Sequence, residues 1–313
     1  MALAQPAGAF DLAWPVNCTL GDTCHIQQYV DHDSRPGATD YLCGPLSYDG
    51  HDGTDIRLND RAEMAAGVQV LAAAPGTVRG VRDGMVDFAS KIPGKDCGNG
   101  VVITHADGWE TQYCHMRQGS VLVKAGDTVV TGTPLGLIGQ TGMADFPHVH
   151  LTVRKNGKVL DPFEPESTAC ALVPGPTLWQ TPVPYEAGGF LTAGFSSTVP
   201  HYDAVVAGLP ITPLPTSAPG LVLWGFAFGT RTGDEMDFQI MGPQGRVMQD
   251  SAVLEKNQAQ MFRATGKKAD GSGWPAGVYV GTITLTRAGQ QLDVIETEVS
   301  VGPRKAQSWL MPG

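Results

Sequence analysis

The chain has 313 residues, longer than one average domain, so two domains are expected. It is 42% hydrophobic, enough to bury a core, and its 40 glycines and 23 prolines favour short strands and tight turns over long helices. A net charge of -10 argues against nucleic acid or an anionic membrane surface as the main partner, because both are read with basic patches.

The N-terminal stretch "MALAQPAGAFDLAWPVN" lacks the basic segment and apolar run of a signal peptide. Its "ALAQPA" does resemble the residues around a cleavage site, so a periplasmic or secreted protein with its signal removed is expected. No stretch approaches the roughly 20 apolar residues of a membrane helix, and no membrane insertion is expected. Residues 1–50 read as irregular, rich in Asp, Gly, Pro and Cys. From about 51 to 165 come short β-rich runs bounded by Gly, Asp or Pro: "VQVLAAAPGTVRGV", "GVVITH", "ETQYCHM", "SVLVKAGDTVV", "PLGLIG" and "HVHLTVR". They describe an antiparallel all-β domain, with residues 1–170 as its extent. Residues 171–212 are heavy in Pro, Gly, Ser and Thr and read as a linker or an extended packing arm. Residues 213–303 return to regularly spaced strands, which predicts a small immunoglobulin-like β-sandwich, and 304–313 form a tail.

All six cysteines (Cys18, Cys24, Cys43, Cys97, Cys114, Cys170) lie in the first domain. An even count without any C-x-x-C pair reads as a disulfide framework in an oxidising compartment rather than a zinc ribbon. One pairing has a local argument. "NGVVITHADGWETQYCHM" looks like two strands around the turn Ala106-Asp107-Gly108. With His105 facing Trp109, Cys114 lies opposite Gly100, close to Cys97, so Cys97–Cys114 is predicted. The oligomeric state stays open.

Four of the eight histidines and one aspartate fall into informative company. In "FPHVHLTVR" strand alternation puts Val149, Leu151 and Val153 on an apolar face and His148, His150, Thr152 and Arg154 on the other. The two imidazoles then stand about 6–7 Å apart along the strand, a spacing that suits one metal ligand and one neighbour acting beside it. Alone, the pattern is weak. In "YDGHDGTDIRL" the glycines argue against a helix, so His51 is expected on a turn and Asp55 on the strand that follows. Imidazole nitrogen and carboxylate oxygen both suit zinc. His115, in "TQYCHMR", lies near the end of a strand. His105 reads as structural at its turn, and His25, His32 and His201 as surface or loop residues. "GTPLGLIGQTG" matches neither phosphate-binding nor dinucleotide spacing and is better explained by tight turns.

Taken in order, H-x-x-x-D, then Y-x-H, then H-x-H, together with "GHDGTDI", "VQVLAAAPGTVRGV", "NGVVITHADGWETQYCHM", "VKAGDTVVTGTPLGLIGQTG" and "FPHVHLTV", make residues 48–163 closely resemble the lysostaphin/LytM-type zinc peptidases of bacterial peptidoglycan. The resemblance implies His51, Asp55 and His150 as ligands of one zinc per chain, with a coordination position left open for water. It implies His115 and His148 as the non-ligand catalytic histidines, one taking a proton and the other serving the oxyanion. It also implies a peptidoglycan peptide as substrate, with the D-Ala–diaminopimelate cross-link expected over Gly-Gly. Two other readings stand beside this: a non-catalytic regulator of other wall hydrolases, and a secreted protease of glycine-rich proteins. The acidic chain does not help capture a polyanionic wall polymer, so binding would rest on local contacts.

Overall fold

The computed structural model describes residues 10–173 and 175–303. Two compact units, Met1–Ala187 and Gly188–Gly313, divide the chain. Among the described residues no helix is long and apolar enough to cross a membrane.

The first unit has strands β1 (His25–Gln28), β2 (Thr54–Arg57), β3 (Gln69–Leu71), β4 (Gly76–Arg82), β5 (Asn99–Thr104), β6 (Trp109–Met116), β7 (Thr128–Val129), β8 (Pro134–Leu137), β9 (His148–Lys155) and β10 (Lys158–Leu160). A short helix α1 (Arg61–Ala66) follows β2, capped by the Asp60 side chain accepting from the Glu63 N–H at 2.9 Å. The main sheet runs β1-β2-β9-β6-β5-β4-β7, with β10 paired to β9, and its pairings are antiparallel. β3 and β8 form a small second sheet. Strand β9 is buried on both faces over most of its length. Val149, Leu151 and Val153 enter the apolar core beside Ile56, Ile103 and Tyr113. The irregular lead-in packs into the same core through Leu12, Val16, Tyr29 and Tyr41.

Three disulfides close this unit: Cys18–Cys24, Cys43–Cys170 and the predicted Cys97–Cys114. Histidines 25 and 32, expected on surface or loop, are instead buried. His25 pairs with Glu186 at 2.8 Å and His32 with Asp161 at 2.9 Å. Both acids lie more than a hundred residues away in sequence, so no local pattern announces them. His201 precedes the second helix and is exposed, as expected.

The second unit has strands β11 (Gly189–Ser196), β12 (Leu214–Pro215), β13 (Gly220–Thr230), β14 (Glu235–Gly242), β15 (Gly245–Val253), β16 (Gln258–Lys268), β17 (Gly277–Arg287) and β18 (Gln290–Gly302), with helix α2 (Tyr202–Val206). One sheet is β11-β13-β16 and the other β12-β18-β17-β14-β15. Phe190, Leu221 and Leu223 from the first sheet meet Met236, Phe238, Ile283 and Leu285 from the second in one core, the arrangement of a β-sandwich. Val205 and Val206 of α2 cover the outer face of β13 at Trp224, Phe226 and Phe228, which is why "GLVLWGFAFGT" is apolar on both faces.

Of residues 171–212, expected as a linker or an extended packing arm, one part packs as an arm and another is a strand. Residues 178–186 pack on the first unit: the Leu12 N–H donates to the Leu178 carbonyl at 2.7 Å, and Trp179 is buried. Residues 189–196 are a full strand of the sandwich, paired with β13 from Gly189↔Phe228 to Ser196↔Val222. Their glycine and serine content hid a strand whose phenylalanines, Phe190 and Phe195, point into the core.

Candidate active site

The site is built where β9 lies between β2 and β6. Antiparallel register sets Asp55 opposite His150 on one side and Cys114 opposite His150 on the other. His51 reaches the same place from the loop before β2, so the expected turn-then-strand arrangement holds. Its Nε2 lies 3.2 Å from both Asp55 Oδ1 and His150 Nδ1, and His150 Nδ1 lies 2.8 Å from Asp55 Oδ1. Gly53 makes this convergence sterically feasible, because a Cβ there would meet His150 Nε2 at 2.5 Å.

Two imidazole nitrogens and one carboxylate oxygen, all buried, form the single group of three or more ligand-type side chains among the described residues that could hold a metal ion. The donor set is one that zinc accepts. Each imidazole also has its second nitrogen occupied. His51 Nδ1 donates to the Tyr29 carbonyl at 2.6 Å, leaving Nε2 for a ligand. His150 Nε2 lies 3.1 Å from Asp52 Oδ1 and 3.0 Å from Thr152 Oγ1.

His148 and His115 complete the cluster. The His148 ring donates through Nδ1 to the Phe146 carbonyl at 2.9 Å, and its Nε2 is 3.5 Å from Asp55 Oδ1. His115 donates through Nδ1 to the Thr141 carbonyl at 2.8 Å. The two rings are 4.5 Å apart, and His115 is 5.9 Å from His150. In both rings the bound Nδ1–H leaves Nε2 as the basic nitrogen.

His115 arrives by a route that alternation alone would not give. Along β6, Trp109, Thr111 and Tyr113 are buried on the core side, and simple alternation would send His115 after them. A β-bulge intervenes: Asn99 pairs with Met116 and Val101 with Tyr113, so Cys114 and His115 together oppose Gly100. His115 takes φ 64°, in the left-handed region, and joins the site face while Met116 returns to the core. Gly100 is required opposite, since a Cβ there would meet the Tyr113 carbonyl at 2.4 Å.

The electrostatics follow the burial. Burial opposes ionisation of Asp55, but His51, His148 and His150 outweigh it and hold its pKa well below the usual carboxylate value. Burial likewise disfavours a charged His150, yet Asp52 and Asp55 raise it to about 9. His115 is pushed well below the ordinary imidazole value by burial, then by His148 and His150. Burial also lowers His148, against the pull of Asp55. The ionised carboxylate draws a cation, which would take the place of the proton on His150, while the neutral imidazoles of His115 and His148 each keep a free nitrogen.

The sequence model of Peptidase family M23 matches residues 49–162, the span that carries all five of these side chains. That segment is similar to an M23 peptidase domain. Over 145 residues the chain is 35% identical to the DD-carboxypeptidase/endopeptidase Mpg of Neisseria meningitidis, covering 45% of this chain and 29% of that one. It is 30% identical over 124 residues to the peptidoglycan DD-endopeptidase ShyA of Vibrio cholerae, covering 40% and 25%. It is 32% identical over 94 residues to the murein hydrolase activator EnvC of Escherichia coli, covering 30% and 22%. The chain thus spans less than a third of the length of these curated relatives.

Several supporting groups of the site leave little mark in the sequence. Asp52 sits next to His51 in "HDGTD", a signal that proximity offered and the H-x-x-x-D spacing obscured. The Tyr29, Phe146 and Thr141 carbonyls are backbone atoms and leave no trace in residue type. Tyr113 is fully buried and accepts from the Ala73 N–H at 2.8 Å, so it belongs to the core. His105 holds the Pro75 carbonyl and Thr111 hydroxyl, each at 2.8 Å, in the structural role expected.

Proposed function

We propose that this protein is a zinc-dependent endopeptidase that hydrolyses peptide cross-links of bacterial peptidoglycan outside the cytoplasm. In this reading His51, Asp55 and His150 hold one zinc ion per chain, and His115 and His148 are the catalytic residues. The observation that carries it is the convergence of all five side chains, drawn from three separate stretches of sequence, on one buried spot. A zinc ion held there supplies a Lewis acid for the scissile carbonyl and lowers the pKa of water.

The protein's own groups account for the proton traffic. With Nδ1 tied to backbone carbonyls, His148 and His115 each present a neutral Nε2. One accepts the proton of the attacking water at Nε2; the other would serve the negative charge that develops on the carbonyl oxygen as an imidazolium, with its Nε2 protonated. The chain has no H-E-x-x-H and so no glutamate base of that kind, and two imidazoles divide its work. The DD specificity in the names of Mpg and ShyA supports the D-Ala–diaminopimelate cross-link over Gly-Gly. EnvC supports the alternative of a non-catalytic activator, but the complete set of five side chains favours catalysis.

Digestion of purified sacculi of several cross-link types, with mass spectrometry of the fragments, tests the reading. Release of peptides cut at D-Ala–diaminopimelate is expected. Intact sacculi, together with stimulation of an added wall hydrolase, would point to the activator instead.

A further inference from the structure

We propose that Asp52 is a positioning residue for the metal-facing imidazole of His150, and that Arg154 and Gln112 hold Asp52 in place by tying it to the Cys97–Cys114 disulfide. The inference rests on the reading of His150 as a metal ligand.

The four histidines of the site differ in what fixes their second nitrogen. His51, His148 and His115 donate to the backbone carbonyls of Tyr29, Phe146 and Thr141. His150 alone relies on side chains. Its Nδ1 faces Asp55 and His51, so ligation through that atom leaves Nε2 as the N–H that needs an acceptor. Two oxygens are in reach, Asp52 Oδ1 at 3.1 Å and Thr152 Oγ1 at 3.0 Å. The carboxylate is the stronger acceptor and the one that raises the basicity of the opposite nitrogen.

Asp52 needs help to stay there. Its side chain is 49% exposed, so unaided it would lose the imidazole to water part of the time. Arg154 meets its other oxygen at 3.4 Å and is itself fixed by donating to Gln112 Oε1 at 2.7 Å. The Gln112 amide then donates to both disulfide sulfurs, at 3.3 Å to Cys97 and 3.4 Å to Cys114. Strand register makes the chain possible. Glu110, Gln112 and Cys114 of β6 face Arg154, Thr152 and His150 of β9 in that order, on one side of the sheet. The disulfide is the covalent end of this hydrogen-bonded line, and the ligand imidazole is the other.

The test uses the full chain stripped of metal, with zinc affinity read by competition against a chromogenic chelator and peptide hydrolysis as a second readout. Asp52→Ala is expected to weaken zinc binding by about 10- to 100-fold, the usual cost of losing an outer partner of a ligating histidine. Asp52→Asn, which keeps an acceptor oxygen, is expected to recover part of that loss. Arg154→Met should weaken binding less, and the double variant Asp52→Ala/Arg154→Met should be no worse than Asp52→Ala alone, because Arg154 acts through Asp52. Zinc affinity of Asp52→Ala within twofold of the parent, while His150→Ala loses zinc, overturns the proposal and leaves the metal site standing. Full additivity of the two substitutions overturns the role given to Arg154. Zinc binding indifferent to both His150→Ala and Asp52→Ala overturns the metal site and this proposal together.

Discussion

The two units solve the burial problem in opposite ways. Among the described residues the first buries His25, His32, Asp40, His51, Asp55, Arg57, His115, His148, His150, Asp161 and Glu164, whereas the second buries Thr230 and Asp234 as its only fully buried polar side chains. Asp234 is satisfied by Arg287, which donates to both of its oxygens at 2.8 Å, and by the Arg231 N–H at 2.7 Å. The sandwich is otherwise a conventional apolar core between two sheets. Burying polar and ionisable groups costs stability unless each is paired, and a site that must keep imidazoles neutral and a carboxylate ionised cannot avoid that cost. All three disulfides lie in the unit that bears it. Cross-links restrict the unfolded chain, and they offset the burden where it is incurred.

The contrast can be broken most forcefully at the site. His150→Ala is expected to abolish zinc binding and hydrolysis together. His148→Ala should keep most of the metal while losing roughly 100- to 10,000-fold in turnover, the span of one proton-transfer group. Metal analysis of both variants beside rate measurements decides this, and equal loss of zinc in the two would show that the roles are wrongly divided. In either variant the unfolding of the sandwich should not move.

A core substitution in the second unit makes the converse case. Ile283 is fully buried between the sheets, and Ile283→Ala should lower that unit's stability by about 2–5 kcal/mol. Calorimetry should show one transition falling while zinc content stays at the parent value. A drop in zinc content would mean that the units are not energetically separate.

Gly53→Ala probes the same contrast on a smaller scale. The added Cβ would sit 2.5 Å from His150 Nε2, so the imidazole must shift. Overpacking of this kind costs about 1–3 kcal/mol, here expected mostly as weaker zinc binding. Chelator competition on Gly53→Ala measures it, and unchanged affinity would show that the loop before β2 yields freely.

The smallest effect expected is in pH. Burial depresses the pKa of His105 below its ordinary value, while its bond to the Pro75 carbonyl opposes the shift. A depressed folded pKa means that its contribution to stability is complete above the unfolded value, near 6.5, and is lost as pH falls through the folded value. His105→Gln should therefore flatten part of the acid-side fall in the first unit's unfolding temperature between about pH 7 and 5. A parallel pair of pH profiles would assign that fall to other groups.

Much of the first unit could be read from residue order. Alternation in "HVHLTVR" separated Val149, Leu151 and Val153 from His148 and His150, because a strand has only two faces and the core accepts only one of them. The turn in "THADGWE" fixed the hairpin that brings Cys97 and Cys114 into bonding distance. The strand hidden in "GFLTAGFS" was less legible, since a glycine-rich strand and a linker share a composition until a neighbouring strand pairs with one of them.

What sequence alone determined, then, was the chemistry available: which residue types stand at which spacing, and which side of a strand each can face. Three matters needed the tertiary structure. The bulge opposite Gly100 turned His115 from the core side to the site, a change of face that depends on register with β5. The acceptors of the imidazole nitrogens came from backbone carbonyls and from Asp52, which residue spacing does not reveal. The buried pairs His25–Glu186 and His32–Asp161 joined residues far apart in the chain. Periodicity is a local property and survives in the sequence; register, bulges and long-range partners arise only when strands from different parts of the chain come to lie side by side.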